Sequence, residues 1–125
     1  MKKAIVTDKA PAAVGPYSQA VEAGGWIYLS GQLPIRPETG TFPEGIAAQT
    51  RQALANLREV LRQAGLDMDN VVKTTVMLAD MADFAAMNEV YAEFFRAPCP
   101  ARSAFAVKSV PKGALVEIDA VAVRP

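Results

Sequence analysis

The alternation of apolar and polar positions changes period along the chain, and each change marks an element. Residues 4–7 read as a short first strand, and 8–16 as a loop, with prolines at 11 and 16 and a glycine at 15. Residues 18–23 and 26–34 then form a hairpin about Gly24-Gly25. The run Trp26-Ile27-Tyr28-Leu29 has strong β-propensity. A loop over 34–44 holds three prolines and Gly40 and belongs on the surface. From 45 to 64 the period becomes helical: Ile46, Thr50, Ala53, Leu54, Leu57, Val60, Leu61 and Ala64 share one face, and Arg51, Arg58, Glu59 and Arg62 lie off it. Gly65 is the expected left-handed terminator.

Residues 71–78 alternate as a strand. Asp80 is placed to cap a second helix, with Asp83 in its first turn. That helix runs to about residue 95 and presents Phe84, Met87, Val90, Tyr91 and Phe94 to the sheet. Pro98 and Pro100 stop it. The closing stretch reads as two strands, 101–107 and 115–123, joined by a turn at Pro111-Lys112-Gly113. The order β-β-β-α-β-α-β-β predicts an α+β two-layer domain spanning residues 1–125, a mixed sheet with both helices on one face. The uncovered face still carries Leu, Ile and Val side chains, and burying it between copies of the subunit is the economical solution.

Composition narrows the chemistry. At 125 residues the chain supports one core. Its 51% hydrophobic content is high for a small neutral protein, which agrees with apolar surface shared between subunits. Thirteen basic and thirteen acidic residues are well mixed, so no electrostatic footprint for nucleic acid stands out. There is no histidine, which removes a Ser-His or Cys-His nucleophile and a His-ligated metal. The carboxylates lack metal-ligand spacing, and Asp67 and Asp69, just past a helix end, suit turns and caps. No metal and no cofactor are expected, and no glycine-rich phosphate cradle is present. Cys99, the one cysteine, reads as a buried or half-buried thiol without chemistry. The start MKKAIVTDKAP lacks the apolar run of a signal peptide, and no window approaches the ~18 apolar residues of a membrane span. A soluble, cytoplasmic protein is the expectation. Any catalysis must come from Arg, Glu, Asp, Tyr, Ser, Asn and the backbone.

Two charges stand out in the closing strands. Arg102 shares a face with Ala104 and Ala106, which leaves room against its charge. Glu117 falls with Leu115, Asp119, Val121 and Val123, and a carboxylate so flanked needs a partner or a task. From the pattern alone, Arg102 at a strand edge in water, or paired with Glu117 or Asp119, is the leading reading, since structural ion pairs outnumber catalytic ones.

A resemblance reverses that order. PARSAFAV (100–107) followed by VPKGALVEIDAVAV (110–123) resembles the closing signature of the Rid family, the reactive-intermediate deaminases also called the YjgF family. GPYSQAV (15–21), LSGQLP (29–34), QT.QAL.N (49–56) and DF..MN.VY..FF (83–95) agree with it, in the family's order over essentially the whole chain. The resemblance implies a chorismate-mutase-like fold assembled as a homotrimer, with sites in the clefts between subunits. It implies hydrolysis of 2-imino acids, such as iminopropanoate and iminobutanoate, to 2-keto acids and ammonia. Pyridoxal-phosphate enzymes such as threonine and serine dehydratases release these imines.

Arg102 then matches the arginine that grips the substrate carboxylate, for which a guanidinium fork is suited and a lysine is not. Glu117 matches the glutamate that positions and activates water. Tyr17, Ser30, Gly31 and Asn88 match other pocket positions. Some relatives have cysteine at the position of Ala104, where contact is through the backbone, so the change removes a thiol at little cost.

Structural roles compete at each position. Tyr17 could anchor a loop, and Ser30-Gly31 could be a strand-end bulge. Asn88, mid-helix where asparagine is disfavoured, points to a specific hydrogen bond. Two other functions stay open. A non-catalytic keto-acid sensor or chaperone-like trimer would need Arg102 but not Glu117. A ribonuclease or translation inhibitor would show steeply salt-dependent RNA binding, which zero net charge argues against.

Overall fold

Strands and helices follow the expected order in the computed structural model, which describes residues 1–125. The strands are β1 (Lys3–Ile5), β2 (Ala20–Ala23), β3 (Trp26–Gln32), β4 (Val71–Leu78), β5 (Ala101–Ala106) and β6 (Val116–Val123). The helices are α1 (Ile46–Gln63) and α2 (Phe84–Tyr91). The six strands form one mixed sheet in the order β1-β2-β3-β6-β4-β5.

The long helix forms as its periodicity requires. Thr50, Ala53, Leu54, Leu57, Val60 and Leu61 are all buried, and each fully buried aliphatic side chain stabilises the fold by roughly 1.5–3 kcal/mol. Gly65 ends it at φ 78°, with Leu66 N–H donating to Leu61 O and Gly65 N–H to Arg62 O, both at 2.9 Å. Two polar residues on the same face are also buried and tie loops to the helix. Gln49 donates to Pro43 O (3.1 Å) and accepts from Leu115 N–H (2.8 Å). Asn56 donates to Leu33 O (3.0 Å) and Ile35 O (2.9 Å).

The second helix is shorter than its periodicity implies. Asp80 caps a single 3-10 turn (Met81–Asp83), accepting from Ala82 N–H at 2.9 Å, and α2 begins only at Phe84. After Tyr91 the backbone tightens to i→i+3 bonds from Glu93 and Phe94, which turns Phe95 into the core. Asp67 and Asp69 lie in the turn expected of them, and both also form ion pairs that the sequence pattern does not indicate. Asp67 caps the turn Met68–Asn70 and pairs with Arg58 at 2.8 Å, and Asp69 pairs with Arg96. Cys99 departs from expectation: the thiol is exposed, because it lies between Pro98 and Pro100 in the connection leaving α2.

The largest difference concerns the closing strands. They form close to where alternation puts them, but they are not neighbours, because β4 lies between them. Strand β5 pairs in parallel with β4, and β6 pairs antiparallel with both β3 and β4. The reason is in the side chains. Val116, Ile118, Ala120 and Ala122 are at most 3% exposed, so β6 belongs at the centre, whereas β5 follows a proline, carries Arg102 and tolerates an edge. Both helices lie on one face, since Met87 and Tyr91 of α2 share a core with Leu54, Leu57 and Leu61 of α1. The opposite face exposes Trp26 (44%), Tyr28 (50%) and Phe105 (41%), with Val121 and Val123 half-buried beside them.

Candidate active site

Pairing register decides which side of the sheet each candidate residue faces. Glu117 on β6 lies opposite Met77, which lies opposite Phe105, so these three share the open face. Arg102 on β5 lies opposite Thr74, which is fully buried beneath the helices, so Arg102 shares the helix face. Strand spacing and rise put the Arg102 and Glu117 Cα atoms roughly 14 Å apart, with side chains leaving on opposite faces. One chain therefore holds two separate clusters of candidate residues, and an ion pair between Arg102 and Glu117 within a subunit is excluded.

The first cluster forms where β3 meets β6. Their register shifts between Leu29 and Gln32, so the Ser30-Gly31 bulge lies inside β3 rather than at its end. The bulge brings the Gly31 backbone against Glu117. A Cβ at position 31 would overlap the Glu117 carboxylate Oε2, with Cδ at 3.0 Å and Cγ at 3.1 Å. Ser30 Oγ donates to Ser18 O at 2.6 Å and Ser30 N–H to Gln19 O at 2.9 Å, which fixes the bulge against the preceding loop. Gln19, itself buried, accepts from Thr7 N–H (2.8 Å) and donates to Thr7 O (3.0 Å) and Pro11 O (2.8 Å). Tyr17 is 53% exposed and shares with Gly31 a cavity of about 260 Å3, whose walls include Gln32, Leu33, Ile35 and Lys112. A larger cavity of about 490 Å3 lies elsewhere, between Arg58, Asp67, Asp69 and Arg96, whose charges are already paired.

Glu117 forms no ion pair. Burial, and then the Asp119 carboxylate beside it, push its carboxyl above the usual carboxylate range. Over the window just above that range, the folded protein keeps a proton that the unfolded chain has released. This contribution to stability therefore falls as pH rises. Glu117→Gln removes the penalty, so the variant should melt above wild type at pH 7 and converge with it below about pH 4. Thermal scans at both pH values check this, and a variant melting below wild type at pH 7 contradicts it.

The second cluster is at the edge strand. Arg102 Nη1 donates to Asn88 Oδ1 at 2.7 Å, the specific bond expected of a mid-helix asparagine. The Arg102 guanidinium carbon lies 4.8 Å from the Tyr91 ring centroid and 5.5 Å from that of Phe84. No carboxylate pairs with Arg102, whereas Arg51, Arg58, Arg62, Arg96 and Arg124 all have one. Ala104, two residues on, packs its side chain against the core, so only its backbone is available to a ligand.

The structure thus brings the Ser30-Gly31 bulge against Glu117, with Tyr17 sharing a cavity with Gly31, and places Asn88, Arg102 and Ala104 elsewhere. Sequence reasoning placed Tyr91 in the core without linking it to Arg102. The signal was present in the spacing, since Phe84, Asn88 and Tyr91 lie at i, i+4 and i+7 on one helical face.

Comparison with known proteins gives a consistent picture. The family model described as Endoribonuclease L-PSP matches residues 7–124. The 2-iminobutanoate/2-iminopropanoate deaminase of Mus musculus is 51% identical over 125 residues, covering 99% of this chain and 93% of the relative. The crystal structure of RidA from the Antarctic bacterium Psychrobacter sp. PAMC 21119 has a TM-score of 0.95 at 46% identity, over 98% of this chain and 99% of that one. That of E. coli TdcF with bound serine has a TM-score of 0.94 at 41% identity, over 98% and 99%.

Proposed function

The chain belongs to the YjgF/RidA family, whose model carries the description endoribonuclease L-PSP, and from that premise we propose that it hydrolyses reactive 2-imino acids to 2-keto acids and ammonia at sites between subunits. The observation that carries the reading is the division of the site. One chain presents an unpaired, pre-oriented guanidinium on one side of its sheet and an unpaired carboxylate with a raised pKa on the other. Neither half alone can hold and hydrolyse a small acid. A symmetric assembly brings the Arg102 edge of one copy to the Glu117 face of the next. The exposed Trp26, Tyr28 and Phe105 supply apolar surface for that contact, and a homotrimer with three equivalent clefts is the proposed assembly.

In the cleft, Arg102 holds the substrate carboxylate through two parallel N–H···O bonds. Tyr17, Ser30 and Gly31 border the opposite wall, and Asn88 and the Ala104 backbone the near one. Glu117 orients a water toward C2 of the protonated imine and accepts its proton as the C–O bond forms and the C=N π pair moves to nitrogen. Glu117 then returns this proton to nitrogen, and as the C–N bond breaks the hydroxyl proton passes back to Glu117 and on to the departing ammonia, leaving the keto group and ammonium. A raised carboxyl pKa suits a group that must both take and return a proton. Dehydratases that release enamines are the class of enzyme that supplies such substrates, and the protein works in the cytoplasm alongside them.

The test couples a threonine dehydratase to this protein, with semicarbazide competing for the released imine. Faster keto-acid formation at the expense of semicarbazone supports the reading. A rate equal to the no-protein control sinks it and leaves a keto-acid-binding trimer as the leading account. The endoribonuclease description draws no comparable support from charge, because thirteen basic and thirteen acidic residues leave no net positive charge to attract a nucleic-acid backbone.

A further inference from the structure

We propose that Tyr91, fixed by Thr74, is a positioning residue that presents the Arg102 guanidinium to the substrate carboxylate; this rests on the reading of Arg102 given above. An arginine on an exposed edge strand has several rotatable bonds, and holding it in one geometry costs entropy that a bound ligand would otherwise have to supply. Three contacts remove that freedom beforehand. Asn88 Oδ1 accepts from Nη1, the Tyr91 ring lies 4.8 Å beneath the guanidinium carbon, and the Phe84 ring flanks it at 5.5 Å.

Tyr91 is the rigid member of the set. It is only 7% exposed, its ring packs against Phe95 at 4.6 Å, and its hydroxyl is bonded to Thr74 Oγ1 at 2.7 Å. Thr74 is fully buried on β4 directly across from Arg102, so one strand pair sets the heights of both the shelf and the side chain resting on it. Burial pushes the phenol above its usual range, so the ring stays neutral and acts on the guanidinium through its π face alone.

The arrangement also selects which edge of the guanidinium is free. Asn88 occupies Nη1 and the aromatic rings lie against the guanidinium, which leaves the Nε–Nη2 edge for a carboxylate in two-point contact. A neutral amide acceptor, unlike Asp or Glu, orders the guanidinium without cancelling its charge. A tyrosine with only a packing role would need its Thr74 bond and nothing more.

The experiment measures KM and kcat for 2-iminobutanoate and the Kd for 2-ketobutyrate, an unreacting carboxylate ligand. Wild type is compared with Tyr91→Leu, Tyr91→Phe and Phe84→Leu, below the melting temperature of each. Tyr91→Leu should raise KM and Kd together by about tenfold, in the range of a desolvated cation–π contact, with kcat changed by less than about twofold. Tyr91→Phe keeps the ring and should stay within about twofold of wild type in KM and Kd, even as it melts earlier for want of the Thr74 bond. If Tyr91→Leu does not fold, Phe84→Leu should still raise KM by about threefold.

The inference is overturned if the ring-deleting variants bind like wild type, or if Tyr91→Phe binds as poorly as Tyr91→Leu. A wild type that binds 2-ketobutyrate, alongside an unaffected Tyr91→Leu, removes this inference only. A wild type that binds no keto acid removes the carboxylate-grip reading as well.

Discussion

Subunits carrying Arg102→Ala and subunits carrying Glu117→Ala, each inactive alone, should regain imine hydrolysis when unfolded and refolded together. At a 1:1 ratio the expected recovery is about a quarter of wild-type activity, since a cleft works only when a chance pairing places an intact Arg102 opposite an intact Glu117. The expectation follows from register. Arg102 shares the buried face with Thr74, and Glu117 shares the open face with Met77. No side-chain rotation brings them together through the sheet. Each single variant should lose at least about 100-fold in kcat/KM, the first by losing two charge-assisted bonds to the carboxylate and the second by losing the proton acceptor. Semicarbazide competition reads the activity, and native mass spectrometry confirms mixed assemblies. Mixed trimers without recovery would mean that Arg102 and Glu117 do not act together in one shared cleft.

Gly31→Ala should be nearly as damaging, through a single carbon. The backbone at Gly31 is not left-handed, so alanine meets no conformational penalty there; the obstacle is the Glu117 carboxylate, which lies where a Cβ would go. The carboxylate must move, and a displacement of about 1 Å at a reacting group costs on the order of 100-fold. The variant should therefore lose about that factor in kcat while still binding 2-ketobutyrate within about threefold of wild type. Retained 2-ketobutyrate binding beside the lost kcat distinguishes displacement of the carboxylate from general disruption of β3. Retention of full kcat in Gly31→Ala would mean that Glu117 needs no fixed position.

Much of this architecture was legible in the residues themselves. The stripe from Thr50 to Leu61 gave the buried face of α1, and Gly65 its end. The mid-helix Asn88 announced a specific bond and makes one. What alternation could not convey was adjacency. It reports which face a side chain takes, not which strand lies alongside, and the turn at Pro111-Lys112-Gly113 looked like a hairpin when it instead carries the chain past β4. The separation of the two candidate clusters was hidden for the same reason, because Arg102 and Glu117 can be assigned to faces only relative to β4. Gly31 was visible as a bulge candidate, but the carboxylate filling its missing side-chain volume comes from a strand 86 positions later. Cys99 misled because burial is common for a lone thiol, whereas two flanking prolines here hold it out on a connection.

The central place of β6 also bears on how the chain acquires its fold. During synthesis the β1–β3 ribbon, α1 and the β4–α2–β5 unit all precede the strand that joins them, and β3 and β4 have no direct pairing to hold them meanwhile. Sheet closure requires Val116 to Val123 to pair with both β3 and β4, contacts of high sequence separation whose formation is correspondingly slow. A nascent chain halted before residue 116 is thus two unjoined sheets' worth of sticky edges, and the period of greatest aggregation hazard falls late in translation.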